Sequence, residues 1–350
     1  METVERRVEK WAARTVASVW PGAKEIEIAA LKGDASTRHF FRIMIAPVSS
    51  KAPSSAIVVD LGPQDLPLYA RELKLYPPLQ EPPWINLHRF LSTLGAPVPS
   101  LYQWSSSDRL LMVEDVGSLS LFEAAHANPS KAADLYRDAV RELMRFHIDG
   151  TAKADSNCVA FQIAYDERLF GWEMRRFLEF GLATIAPDAN ALAIEPEIGI
   201  VACELGSLPR VFSHRDFYGN NLFVQDEGQI RIIDFQDALM APRAQDLAVL
   251  LTTRDTASIV SPALEERLLD FYFTGLIRRG VADLNREHFL RSYRLCVLQH
   301  ALKCIGLFVF LDREGKQGYE VFIPHAISQA RRMLDPISGD FPHLRKVFAK

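Results

Sequence analysis

An α+β fold in two lobes is predicted, with a small β-rich N-lobe over residues 1–117 and a larger, mainly helical C-lobe over residues 118–350. Three observations lead there: strand-like runs crowd into the first third of the chain, helical periodicity dominates after Gly117, and one short hairpin interrupts the helices near residue 222. Apolar residues recur every second position in a half-buried strand and every third or fourth in a helix, so a change of period marks a change of element.

Val4, Val8, Trp11, Ala12, Val16 and Val19 share one face of a helix over 3–19, which stops at Pro21-Gly22. Strand-like runs follow at 25–31, 38–46 and 55–61, separated by turn-rich stretches. A helix at about 83–94 is closed by Gly95. Two further strands flank residues 105–108, and the second, 110–113, runs straight into Glu114-Asp115-Val116-Gly117. Beyond it, helices are expected at 130–149, 165–181, 243–253, 262–279, 286–311 and 323–334. No repeat or low-complexity segment is visible.

The chain has 350 residues, 48% of them hydrophobic and 24% charged, which is enough apolar material for a full core. A net charge of −4 argues against a nucleic-acid partner that needs a basic face. The longest apolar run, 304–311, is only eight residues, so no membrane span is expected. The first residues carry charges of both signs and no apolar core, so no signal peptide is read there. Cys158, Cys203, Cys296 and Cys304 are scattered without a CxxC pair, as in a reduced, cytoplasmic protein. HExxH, GxSxG, Walker GxxxxGK and GxGxxG patterns are all absent.

Residues 211–237, VFSHRDFYGNNLFVQDEGQIRIIDFQD, carry the chemistry. His214-Arg215-Asp216 is followed by Asn221 five residues on, and by Asp234 thirteen beyond that. Asp, Asn and Asp at these spacings suit phosphoryl transfer. Asp216 would accept the proton of an attacking hydroxyl, and Asn221 and Asp234 would hold Mg²⁺ against the phosphates of ATP. Leu222-Phe223-Val224 and Ile230-Arg231-Ile232-Ile233 read as two strands joined at Asp226-Glu227-Gly228, a hairpin with Asn221 and Asp234 at its open ends. Such a site belongs in a nucleotide cleft between the lobes. His214 is expected to order the loop, and Arg215 to pair with Asp237.

These segments resemble the aminoglycoside phosphotransferase/choline kinase superfamily, whose fold is bilobal and protein-kinase-like. Within it the chain is most similar to the branch that phosphorylates the anomeric hydroxyl of N-acetylmuramate and N-acetylglucosamine in cell-wall recycling. The branch-level likeness lies in Gly33-Asp34-Ala35-Ser36-Thr37-Arg38-His39-Phe40-Phe41-Arg42 and in Leu302-Lys303-Cys304-Ile305-Gly306-Leu307-Phe308 with Arg313-Glu314-Gly315-Lys316. The superfamily likeness lies in residues 111–117, the HRD segment and Ile233-Asp234-Phe235-Gln236-Asp237-Ala238. The resemblance implies an ATP- and Mg²⁺-dependent sugar 1-kinase, with a small-molecule sugar as its partner and a monomeric state. It also implies that Asp246 braces the catalytic loop. The loop 32–37, with Ser36 and Thr37, would cover the phosphates. Glu114 and Val116 would offer backbone groups to adenine, and Glu173 and Lys303, charged residues on otherwise apolar helices, are candidates for the sugar. A kinase of another small hydroxyl compound (aminoglycoside, choline or homoserine type) and a pseudokinase-like nucleotide-binding module remain as alternatives.

One part is missing. Kinase-like folds carry a lysine on the third strand that contacts the α/β-phosphates, but here that strand reads Ala56-Ile57-Val58-Val59-Asp60-Leu61. Arg38 and Arg42, four apart on one face of the second strand, are the nearest fixed cations, and Arg42 is the first candidate to replace it.

Overall fold

Five antiparallel strands form the N-terminal sheet in the order β1-β2-β3-β5-β4: β1 Lys24–Leu31, β2 His39–Ala46, β3 Ser55–Asp60, β4 Leu101–Ser105 and β5 Leu110–Glu114. The computed structural model describes residues 3–31, 38–46, 52–62, 66, 68–225 and 228–349. The helix Val4–Val19 is capped by the Thr3 hydroxyl, which accepts from Arg6 N–H. It lays Val8, Trp11, Ala12 and Val16 against Ile43, Ile45, Val58, Leu110 and Met112 of the sheet. Fully burying one such aliphatic side chain is worth about 1.5–3 kcal/mol, so this single face fixes the helix on the sheet. Asp60, at the end of β3, is nearly buried; Arg7 and the Gly62 N–H both donate to it.

The chain divides into two units. One comprises Met1–Leu68, Pro97–Ser118 and Arg231–Ile233; the other comprises Tyr69–Ala96, Leu119–Ile230 and Asp234–Lys350. The helix Pro83–Thr93 therefore groups with the C-terminal unit, where Trp84 lies 5.2 Å from the ring of Phe235. That unit is built around Arg286–Arg313, which packs on Glu167–Arg176, Gln245–Thr252 and Ile323–Leu334. By length and composition Arg286–Arg313 could cross a membrane, which a search for unbroken apolar runs misses because Arg294, Gln299 and Lys303 interrupt it. Most of its apolar stretch, 67%, is buried within the protein, as in a core helix.

Several elements were not expected. A two-stranded sheet pairs β6 Arg210–Ser213 with β9 Leu239–Pro242, in register Ser213↔Leu239. The helix Ala191–Ser207 carries Pro196 in its interior and is apolar on most sides, so it lacks the period that announces a surface helix. A short helix, Pro342–Phe348, follows near the C-terminus. The hairpin strands are β7 Leu222–Val224 and β8 Ile230–Ile232. Asp226 and Glu227 of the expected turn lie outside the described residues. Gly228, at φ +76°, donates to Gln225 O over 2.8 Å.

Candidate active site

Asp246 organises the catalytic loop. It stands in the first turn of Gln245–Thr252 and is fully buried. One oxygen accepts from the Ser213 hydroxyl and the His214 N–H, each at 2.7 Å, and the other from the Arg215 N–H at 2.7 Å. A buried carboxylate with that many donors is stabilised in its charged form. Burial alone would raise the Asp246 carboxyl, but His147 and the other donors hold it below its ordinary value. His147 sits in a π-turn, Phe146–Gly150, that continues the helix Ala132–Arg145; its Nε2 is 3.2 Å from Asp246 and its Nδ1 is 2.6 Å from the Tyr272 hydroxyl. Burial keeps this imidazole neutral by lowering its pKa. The network then assigns the proton to Nε2, with Tyr272 donating to Nδ1.

The braced backbone is bent. Arg215 has φ +78° and Asp234 φ +62°, left-handed conformations that non-glycine residues adopt at a cost of about 1–3 kcal/mol. They recur where the surrounding contacts over-determine the chain, as Asp246 does here. The β6–β9 pairing brings Ser213 opposite Leu239 and so holds the segment 214–216 beside 234–238. After Asp216 the loop closes on itself: the Asp216 carbonyl accepts from Tyr218 N–H at 3.0 Å and from the Asn221 side-chain amide at 2.9 Å. The Asn221 NH₂ is thereby occupied, and its oxygen is the group left for a cation.

Asp216 is half-buried. Burial pushes its carboxyl above the usual carboxylate range, Arg215 and Lys303 pull it back, and Asp237 and Asp234 add to the push. A carboxyl raised in this way is a better-matched proton acceptor than an ordinary surface aspartate.

Glu173 carries the second cluster. Its Oε1 accepts from Arg215 at 2.8 Å and Lys303 at 3.1 Å, and its Oε2 from the Tyr165 hydroxyl and from Gln299 Nε2 at 3.0 Å. Burial would raise this carboxyl, but Lys303, Arg215 and the Tyr165 hydrogen bond outweigh it and hold the pKa at about 2. All four acceptor positions of the carboxylate are filled. Glu173 therefore holds Arg215 and Lys303 in place, where sequence had offered it as a direct sugar contact. Arg215 pairs with Glu173 instead of the expected Asp237, and its guanidinium carbon lies over the Tyr69 ring, 3.8 Å from the centre. Asp237 accepts from the Tyr69 hydroxyl at 3.2 Å. Lys303 keeps more of its surface than either partner.

The residues expected to meet the nucleotide lie in the N-terminal unit. Ser36 and Thr37 fall outside the described residues. Arg42 Nε and Nη2 donate to the two oxygens of Asp115 at 2.7 and 3.0 Å, and Nη2 also to Gly117 O at 3.1 Å. Its fork is thus closed on the connector after β5. Arg38 lies 5.8 Å from the ring centre of Phe40. The Glu114 N–H donates to Ser100 O, and its carboxylate takes Ser100 and Arg231.

The donor set fits a nucleotide-borne Mg²⁺. Asn221 and Asp234 supply hard oxygens only, and among the described residues no three His, Cys, Asp or Glu side chains form an all-protein cage. Mg²⁺ is commonly held in this way, by one or two protein oxygens completed by phosphates and water.

A model of the phosphotransferase enzyme family matches residues 59–284, well over half of the chain, including Glu173, Asp216, Asn221, Asp234 and Asp246. The chain belongs to the phosphotransferase enzyme family. Over 246 residues it is 29% identical to an N-acetylmuramate/N-acetylglucosamine kinase of Caulobacter vibrioides, a match that covers 67% of this chain and 65% of that protein. Over 130 residues it is 34% identical to the kinase of the same name from Neisseria meningitidis, covering 36% and 37%. The chain thus spans 65% of the length of the first relative and 37% of the second. Among solved structures it is similar to a choline kinase from Cryptosporidium parvum (TM-score 0.63, 14% identity, 98% and 100% of the two chains). A choline kinase from Streptococcus pneumoniae is similar as well (TM-score 0.58, 14% identity, 95% and 99%). At such identities the likeness is one of fold: α+β and protein-kinase-like, as the sequence predicted.

His147, Tyr165, Tyr69 and Gln299 had no sequence signal. Each is an ordinary polar residue in an apolar segment, and only the tertiary contacts single it out.

Proposed function

We propose that this family member transfers the γ-phosphate of ATP to the anomeric hydroxyl of an N-acetylated amino sugar of the N-acetylmuramate/N-acetylglucosamine type. The names of the two sequence relatives support the sugar, and the state of Glu173 carries the reading. With its carboxylate saturated by Arg215, Lys303, Tyr165 and Gln299, Glu173 offers the acceptor no free anion, and Lys303 is the more exposed of the two cations it holds. A lysine on the acceptor side suits a neutral or anionic acceptor better than choline or a polycationic aminoglycoside.

In this account Asp216 accepts the proton of the sugar hydroxyl as its oxygen bonds to the γ-phosphorus and the bond to the bridging oxygen of ADP breaks. Asn221 and Asp234 would hold Mg²⁺, which, when bound with the nucleotide, offsets the charge of the triphosphate. Lys303 meets the acceptor side, and Glu173 and Tyr69 position Lys303 and Arg215. Arg38 takes the phosphate contact that the third strand lacks, while Arg42 holds Asp115 and so the connector whose backbone, at Glu114 and Val116, receives adenine.

A panel of sugars with ATP and Mg²⁺, followed by ADP release and ³¹P NMR of the products, tests this reading. The expected result is a phosphate on the anomeric oxygen of an N-acetylated amino sugar, with no turnover of the matching methyl glycoside. Efficient phosphorylation of that glycoside, or of choline, would overturn it.

A further inference from the structure

Gln236 stands in the tight turn Phe235–Asp237, between the carboxylates of Asp234 and Asp237. We propose that it is a positioning residue for the cation: its side-chain amide clamps Asp234 to Asp237 and so fixes the carboxylate that would hold Mg²⁺. The proposal rests on the metal role given to Asp234 above and deepens it.

The local chain geometry sets up the clamp. Asp234, at φ +62°, caps the turn, and the Ala238 N–H closes it on Phe235 O at 3.0 Å. Phe235 is fully buried with its ring 5.2 Å from that of Trp84, which anchors the bend in the core. The Gln236 side chain then folds back onto Asp234 and forward onto Asp237. Its Nε2 donates to Asp234 Oδ1 at 3.0 Å and to Asp237 Oδ2 at 3.1 Å. An amide nitrogen has two hydrogens, and each carboxylate takes one. The reverse orientation would set the amide oxygen against two anions that only accept, so the NH₂ must face them.

The other end of the amide shows that packing alone does not call for a glutamine. Gln236 Oε1 is buried with no hydrogen-bond partner among the described residues. An unpaired buried carbonyl costs free energy that an apolar side chain of the same length would avoid. What the glutamine adds is a pair of donors between two anions, whose mutual repulsion it offsets.

Asp237 is anchored in turn. Its Oδ1 accepts from the Tyr69 hydroxyl at 3.2 Å, and the Arg215 guanidinium carbon lies over the Tyr69 ring, 3.8 Å from the centre. Direct contacts therefore run unbroken from Asp234 through Gln236, Asp237 and Tyr69 to Arg215, the residue beside Asp216. A metal-binding carboxylate held from outside in this way keeps its orientation before the metal arrives, and such outer partners raise metal affinity.

The test measures binding with no acceptor present. Calorimetry gives the affinity for ATP, with Mg²⁺ and with EDTA, of wild type, Gln236→Met, Asp234→Asn and the double variant; Gln236→Leu replaces Gln236→Met if the latter does not fold. Gln236→Met should weaken Mg²⁺-ATP binding about tenfold or more, the usual scale for losing an outer partner of a metal ligand, and leave ATP binding in EDTA within about twofold. Added to Asp234→Asn, the same substitution should cost less than about twofold, because the carboxylate it positions is gone; a merely structural residue would cost the same in both backgrounds. Equal losses with and without Mg²⁺, no loss in either, or an undiminished loss in the Asp234→Asn background overturn the positioning role. If this pattern holds but no sugar is phosphorylated, the substrate reading fails and the clamp stands. If Mg²⁺ does not strengthen ATP binding to wild type, the metal role of Asp234 fails and the clamp falls with it.

Discussion

Asp216 is surrounded by four charges that act on it in pairs, and the pairs can be separated by mutation. Lys303 lowers its carboxyl and Asp237 raises it. In the proposed mechanism activity requires Asp216 deprotonated, so kcat/KM should fall as pH drops through its pKa. Lys303→Met removes a lowering cation and should move that acid limb to higher pH. Asp237→Asn removes a raising anion and should move it to lower pH. Shifts of the same sign in both variants, read from full pH profiles, would show that another group sets the limb. The two arginines near the start of β2 divide similarly. Arg38→Met should raise KM for ATP about tenfold, the ~1.4 kcal/mol of a charged phosphate contact. Arg42→Met should act mainly through the connector, lowering stability with a smaller effect on KM. A tenfold rise in KM for Arg42→Met alone would return the phosphate role to Arg42.

The element that aligns this site is the crossing of Arg286–Arg313 with the 167–181 segment. A Cβ placed on Gly306 would lie 2.4 Å from the backbone of Arg176 and Phe177, which cannot yield as a side chain can. Glycine at 306 lets the two backbones approach closely, and the approach brings Gln299 and Lys303 onto Glu173. Gly306→Ala should therefore force the helices apart, cost about 1–3 kcal/mol and reduce kcat well beyond any change in KM for ATP. A variant with wild-type Tm and kcat would mean that the crossing is looser than described. At this scale the sequence was only partly legible. The HRD loop, the hairpin and the helix Arg286–Arg313 follow from period and spacing, because their signals are local. β6 and β9 are four residues each and exist only by pairing with each other. Ala191–Ser207 hides behind Pro196 and a nearly uniform apolar surface. The π-turn at His147 is set by Asp246 and Tyr272, far away in sequence, so no local pattern announces it. The partners of Glu173 and Arg42 were not legible for the same reason: a charged residue in an apolar segment announces that it has a partner, but not which one.

For the whole molecule, nucleotide binding and stability are linked, because a ligand that binds only the folded state stabilises it by about 2.7 kcal/mol at a hundredfold excess over its Kd. ATP with Mg²⁺ should raise Tm by several degrees, and EDTA or Asp234→Asn should remove most of that rise. A shift that survives both treatments would show that the nucleotide binds without the metal site. Two units also allow more than one unfolding transition, so the scan should be read by both calorimetry and circular dichroism.

The proposed transfer depends on Asp216 being the proton acceptor, and the turnover of Asp216→Asn tests that most directly. The amide preserves shape and the hydrogen bonds of the loop backbone but cannot take the proton. The account predicts a fall in kcat of about 10²–10⁴, the usual size of a general-base effect, with the affinity for Mg²⁺-ATP unchanged within about twofold. A variant that keeps more than roughly a tenth of wild-type kcat would contradict it.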